Sequence, residues 1–107
     1  MSTGHVVQQH NTDGNGNPAG GYAFGTGFRI EWQNGPLMVD GERAEPNGAF
    51  VEDVIAVAIG RIEHYQASRF HCLHNAVALG HLRAAAEALA ERTADRAGRG
   101  VEGTHQL

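Results

Sequence analysis

Arginines near the C-terminus are the residues whose type and spacing most suggest chemistry. Arg92, Arg96 and Arg99 follow one another at i, i+4 and i+7, so on a helix they project from one face. The sequence contains no lysine, and each of its 8 permanently charged basic residues is therefore a planar guanidinium. Guanidinium groups donate paired hydrogen bonds to phosphate oxygens and stack on rings. The row fits a phosphate-binding surface, but such spacing more often indicates a solvated helix end stabilised by the helix dipole.

Tyr65 and Asn75 are two further candidates for ligand contacts. Tyr65 ends an apolar stripe, where a tyrosine is usually a core or interface residue with its hydroxyl in water. The alternative is a stacking platform for a nucleobase. Asn75 lies in the first turn of a predicted helix, where an amide usually binds backbone groups. Its alternative is a contact to a ribose or a base edge.

The histidines and the single cysteine cluster around the link between two predicted helices. Zinc sites use these residue types, but no established ligand spacing is present. We therefore interpret them as scattered surface histidines and a buried, unreactive thiol, and predict neither a metal nor a cofactor. No catalytic triad or phosphate-cradling loop can be assembled, so the sequence predicts no enzyme. The cluster comprises His64, His71, Cys72, His74 and His81.

Composition limits the classes of partner. The 107 residues carry a net charge of −4, which argues against duplex nucleic acid but allows a local site for a small anion. The sequence has no apolar run long enough to cross a membrane and no recognisable signal peptide, which predicts no membrane association. One cysteine excludes an internal disulfide and fits a reducing cytoplasm.

The N-terminal half is expected to contain a flexible arm and a β-hairpin. Residues 1–21 are rich in Gly, Asn and His and predict a flexible arm. Residues 26–39 predict an antiparallel hairpin, in which alternating residues 28–32 form one strand and residues 37–39 return beyond Asn34-Gly35. Residues 40–48 are predicted to form a loop.

Two helices are expected in the C-terminal half. The first begins near Ala49, with Asn47 as its candidate cap, and ends near Gln66. The second extends from about His71 to Ala97. A short link makes the two long helices antiparallel neighbours. The predicted class is therefore α+β, with an N-terminal antiparallel hairpin followed by two antiparallel helices.

Three segments together resemble the phage Thoeris anti-defence protein 1 family. They are residues 46–55, the Tyr65-Gln66 pair, and the string from Arg92 to His105, which is the most specific. The resemblance covers about Phe28 to His105. It implies that residues 22–107 form a single signal-binding domain. Proteins of that family act as sponges in the host bacterial cytoplasm: they hold a cyclic ADP-ribose isomer made by an immune enzyme without cleaving it.

The resemblance also implies site residues. The family's stacking aromatic corresponds to Tyr65, at a position where a Phe is expected. Its polar contact corresponds to Asn75. The phosphate and base clamp falls on Arg92 and Arg96. A loop arginine belongs to the family pocket, and Arg43 is the candidate. Two tail residues are expected to close over the ligand, Thr104 and His105.

The geometry of one helix then requires a second protomer. Asn75 and Arg92 lie about 25 Å apart at ~1.5 Å per residue, farther than one small cyclic ligand extends. Two antiparallel protomers bring the arginine end of each to the aromatic end of the other, so we expect a homodimer with two equivalent sites. The family also includes hexamers that hold cyclic di- or trinucleotides at a separate site. Two alternatives stay open: a phage structural or protein-interaction module without a ligand, and an enzyme that hydrolyses the signal.

Overall fold

The computed structural model describes residues 5–107, and these divide into two compact units. The strand unit contains the described residues up to Phe50 together with Val101–Leu107. The helix unit contains Val51–Gly100. The predicted α+β class is confirmed, with a small antiparallel sheet followed by two helices. No helix within residues 5–107 is long and apolar enough to cross a membrane.

Three antiparallel strands form the main sheet of the strand unit. They are β1 (Val7–Thr12), β2 (Pro18–Gly25) and β3 (Phe28–Glu31), arranged in the order β1-β2-β3. The loop between β1 and β2 is held by Asp13, whose carboxylate accepts the backbone N–H of Asn15 at 2.8 Å and of Asn17 at 3.0 Å.

The expected flexible arm at residues 1–21 is wrong for residues 7–12 and 18–21, which are strands. Residues 1–4 of that arm lie outside the described residues. Every side chain of β1 is exposed, so the strand has no apolar alternation that sequence could reveal. Backbone pairing with β2, in a register that joins Val7 to Phe24, makes it a strand.

The hairpin predicted for residues 26–39 is also wrong in its pairing. β3 pairs with β2, which precedes it, through a two-residue turn that sets Gly25 opposite Phe28. The residues after β3 form a second, smaller hairpin, β4 (Met38–Val39) with β5 (Glu42–Arg43), inside the expected loop. Its turn is Asp40-Gly41, in which both residues have positive φ, as a type I′ hairpin turn requires.

Asn34-Gly35 does not make a hairpin because the chain there is held by a distant segment. The Asn34 backbone N–H donates to Asn47 Oδ1, and Asn47 Nδ2 donates back to the Asn34 carbonyl, both at 2.8 Å. The Asn47 backbone N–H donates to Gln33 Oε1 at 2.8 Å. Asn47 is therefore not the cap of the first helix; its amide joins two parts of the strand unit.

The helix unit consists of α1 (Val51–Gln66) and α2 (Leu73–Gly98), close to the predicted limits. The ends of the two helices meet at their link, since Gln66 Nε2 donates to the Cys72 carbonyl and the Cys72 N–H donates to Gln66 Oε1. The end of α1 therefore lies beside the start of α2. An ion pair of 3.0 Å between Glu63 and Arg83 joins them farther along.

Few side chains of the helix unit are buried within one copy of the chain. Leu79 is 6% exposed, and α1 has no residue in the buried class. Large apolar residues instead face outward along both helices and the link, at Val51, Val57, Phe70, Leu73 and Val77.

Candidate functional site

Tyr65 lies in the last turn of α1 and is 39% exposed. The Arg61 guanidinium covers its ring, with Cζ at 5.0 Å from the ring centroid. Arg61 Nε also donates a hydrogen bond of 3.2 Å to the Tyr65 hydroxyl. Because residues at i and i+4 lie on one helix face, this contact follows from the helix itself. The hydroxyl that sequence reasoning placed in water therefore accepts from an arginine.

Asn75 lies at the opposite side of the link, in the first turn of α2. Its Nδ2 donates to the Phe70 carbonyl at 3.5 Å, and its backbone N–H donates to Cys72 Sγ, the N-cap of α2, at 3.5 Å. Part of the amide thus binds backbone, which is the usual role of asparagine at this position. Across residues 5–107, no donor lies on Asn75 Oδ1, so this oxygen can accept from a ligand.

Ser68 connects the positions of Tyr65 and Asn75. Its hydroxyl donates to the Tyr65 carbonyl at 2.6 Å and accepts from the Phe70 N–H at 3.1 Å. The Phe70 carbonyl in turn accepts a hydrogen bond from the side-chain amide of Asn75. A continuous series of local hydrogen bonds therefore links the backbone of Tyr65, the backbone of Phe70 and the side chain of Asn75 at one end of the helix pair.

Arg92 and Arg96 lie near the other end of α2. The helix is continuous from Leu73 to Gly98, so Arg92 is about 25 Å along the axis from Asn75. One protomer therefore does not bring the predicted clamp to the predicted aromatic. Arg92 is exposed and makes no ion pair or hydrogen bond with its side chain inside the described range. The third arginine of the row, Arg99, pairs with Asp95 at 3.1 Å.

The remaining predicted site residues belong to the strand unit. Arg43 forms a two-point ion pair with Glu102, at 2.9 and 3.3 Å, and hydrogen bonding to that carboxylate raises the pKa of the guanidinium further. Thr104 Oγ1 donates to the Val101 carbonyl at 2.6 Å and accepts from the Gln106 N–H at 3.1 Å. His105 is exposed. Arg43 and Thr104 thus have partners that order the tail, and their contacts to a ligand stay predictions.

Sequence reasoning missed two arginines at the link. Arg61 contacts Tyr65 as described, and Arg69 lies over the exposed ring of Phe70, with Cζ at 4.8 Å from the centroid. The i, i+4 spacing of Arg61 and Tyr65 is a signal that could have found the first contact. Nothing in the link sequence predicts the second, because its geometry depends on the turn.

The histidines around the link form no metal centre in the region that the structure describes. Residues 5–107 contain no group of three His, Cys, Asp or Glu side chains placed to hold a metal ion. Cys72 is exposed rather than buried as expected, because its backbone lies outside α2 and its sulfur caps the helix end.

Comparison with known proteins shows a phage relative of this chain. A curated protein of Bacillus phage SBSphiJ7, named "Thoeris anti-defense 1", is 43% identical over 77 residues. The match covers 72% of this chain and 51% of the relative, so the chain spans about half the length of that protein. No family model matches the sequence. On this identity the chain belongs to the Thoeris anti-defence family.

Proposed function

We propose that this protein is a non-catalytic sponge that binds a cyclic ADP-ribose isomer in the host bacterial cytoplasm and so blocks Thoeris immunity. The observation that carries the proposal is the 43% identity to a phage protein named for acting against Thoeris defence. The ligand class comes from the resemblance, and the helix unit offers groups that suit it.

The aromatic end of the helix pair suits the nucleoside part of such a ligand. The Tyr65 ring is exposed enough to stack on adenine, an interaction worth about 1–3 kcal/mol per base. Asn75 Oδ1 can accept a hydrogen bond from a ribose hydroxyl. The hydrogen bonds of the link hold the backbone at Tyr65 and the side-chain amide of Asn75 in place, which lowers the entropy cost of binding.

The arginine end suits the pyrophosphate. Arg92 and Arg96 are one helical turn apart, so their guanidinium groups can bind neighbouring phosphate oxygens. Because α2 separates them from Tyr65 within one chain, the proposed pocket takes its arginines from a second helix unit packed antiparallel. The exposed apolar residues Val57, Leu73 and Val77 give such a partner a surface to cover.

A two-fold homodimer of this kind contains two equivalent pockets. Further assembly into a hexamer, with a separate site for cyclic di- or trinucleotides, is part of the same proposal. A sponge acts by stoichiometry, and it must therefore bind its signal more tightly than the immune receptor does. We expect a nanomolar dissociation constant, which corresponds to a binding free energy of about −12 kcal/mol.

Titration calorimetry against cyclic ADP-ribose isomers and cyclic di- and trinucleotides tests the proposal. We expect one cyclic ADP-ribose isomer to bind at one site per chain, and light scattering to give at least the mass of a dimer. The ligand is then released by heat and analysed by chromatography. Unaltered ligand supports a sponge, whereas a cleaved product would establish a hydrolase. If the protein binds none of the compounds on the panel, a protein-interaction module is favoured instead.

A further inference from the structure

The arginines of this chain divide by the kind of group that they contact. Among the described residues, Arg29, Arg43, Arg83 and Arg99 form ion pairs with carboxylates. Arg61 and Arg69 instead lie over aromatic rings, and both belong to the link end of the helix unit. Within residues 5–107 no carboxylate pairs with either of these two guanidinium groups. Their positive charge is therefore not neutralised by the contacts that position them.

Arg61 differs from Arg69 in how it holds its ring. Arg69 only stacks, because Phe70 has no polar atom in its side chain. Arg61 makes two contacts with Tyr65: it covers one ring face with Cζ at 5.0 Å from the centroid, and its Nε donates to the hydroxyl at 3.2 Å. Two contacts from one rigid, planar group restrict both torsions of an exposed tyrosine.

We propose that Arg61 is a positioning residue that makes Tyr65 a one-sided platform for the base of an anionic adenine nucleotide. The guanidinium occupies one face of the ring, so the base stacks on the opposite face, and the hydrogen bond to the hydroxyl fixes the ring in that orientation before binding. This inference rests on the proposed function, because it concerns the same ligand.

Two physical consequences follow from this arrangement. An exposed tyrosine that is already held loses less side-chain freedom when a base stacks on it, so affinity increases without a new contact to the ligand. The hydroxyl of Tyr65 becomes part of the site without touching the ligand.

A double-mutant cycle on the full-length chain tests the inference. The probe is the cyclic ADP-ribose isomer that binds best to the unmodified protein, and affinity is measured by calorimetry. We expect Arg61→Gln to weaken binding about fivefold, because it removes both the cation–π contact and the hydrogen bond. We expect Tyr65→Phe to weaken binding about threefold, because it removes the hydrogen bond alone. The double variant should lose little more than Arg61→Gln, because both substitutions break one unit.

Arg69→Gln is the matched control, since it removes the same charge from a stacked arginine eight residues away in sequence. The affinity of the Arg69→Gln variant for the isomer should stay within twofold of the affinity of the unmodified protein. Far-UV circular dichroism must stay unchanged in all variants, and Tyr65→Phe serves as the variant that keeps ring and packing.

The possible results separate the inference from the proposed function. If the unmodified protein binds no isomer, the function itself fails. If the unmodified protein binds an isomer, the function stands, and three results would each overturn the positioning role. Arg61→Gln could have no effect on affinity, the effects of Arg61→Gln and Tyr65→Phe could add independently, or Arg69→Gln could weaken binding as much as Arg61→Gln.

Discussion

The strand unit and the helix unit use their polar side chains differently. In the strand unit, Asp13 binds backbone groups of its own loop, and Gln33 and Asn47 bind backbone groups of distant segments, so their polar atoms maintain the fold. In the helix unit, comparable bonds concentrate in the link between α1 and α2, and Arg83 and Arg92 farther along are exposed. Substitutions in the strand unit should therefore cost stability, whereas those on the helices can change binding alone.

The largest expected effect is on ligand binding by Arg92→Ala. The side chain is exposed and has no partner elsewhere in the described chain, so its removal should leave the fold intact. Loss of a charge-assisted contact to phosphate should weaken binding of the cyclic ADP-ribose isomer by more than about tenfold. Calorimetry measures the affinity, and circular dichroism checks the helices.

Arg83→Ala is the matched control for that substitution, because Arg83 is an exposed arginine of the same helix that pairs with Glu63. Its affinity for the isomer should change little. Equal affinities of the Arg92→Ala variant and the unmodified protein would mean that the site lies elsewhere.

A second prediction concerns stability of the strand unit. Asn47→Ala removes two hydrogen bonds of 2.8 Å that join Asn47 to the backbone of Asn34. We expect a loss of about 1–2 kcal/mol in the free energy of unfolding. Trp32 is the only tryptophan and its backbone pairs with Ala49, so its fluorescence during urea unfolding reports on this part of the molecule.

The control is Asn11→Ala, in an exposed strand of the same unit, where the side chain accepts one bond from Gln9. That change should alter stability by less than about 0.5 kcal/mol. Similar midpoints for the two variants would show that Asn47 does not hold the strand unit together.

The helices were predictable and the strand pairing was not, for a physical reason. Helical periodicity is a local signal, so α1 and α2 begin and end within two residues of expectation, even though Asn47 is not the cap of α1. Strand pairing depends on distant partners. Asn34-Gly35 has the sequence of a hairpin turn, but its backbone is bound by Asn47, and polar β1 gives no periodic signal.

The candidate site shows the same limit. The distance from Asn75 to Arg92 followed from helix geometry, because it depends on one regular element. The partner of Arg43 could not be predicted, because it lies 59 residues away in the tail. Contacts across long sequence separations need the fold, and so the ion pair with Glu102 was missed.

A third, smaller effect is expected where the tail meets the second hairpin. Glu102→Gln removes the charge that holds Arg43, and should loosen the tail beside Met38, whose N–H donates to the Gly103 carbonyl at 2.8 Å. Faster hydrogen exchange of the Met38 amide, measured by NMR, is the expected result. Glu42→Gln, on the neighbouring strand residue, should leave that rate unchanged. An equal rate in all three proteins would contradict a role of the ion pair in holding the tail.

The smallest effect is the pH dependence of the loop between β1 and β2. Hydrogen bonds from the backbone N–H of Asn17 and then Asn15 lower the pKa of Asp13 below its usual 3.8. A carboxyl whose pKa is lower in the folded state stabilises the fold fully above the unfolded value, and that stabilisation is lost as pH falls through the lower, folded value. NMR shifts of the Asn15 and Asn17 amides should therefore inflect below pH 3.8, and Asp13→Asn should abolish the inflection. An inflection at or above that pH would mean that the loop does not hold the carboxylate. In that case Asp13 would be a solvated side chain, and the contrast between the two units would rest on Gln33 and Asn47 alone.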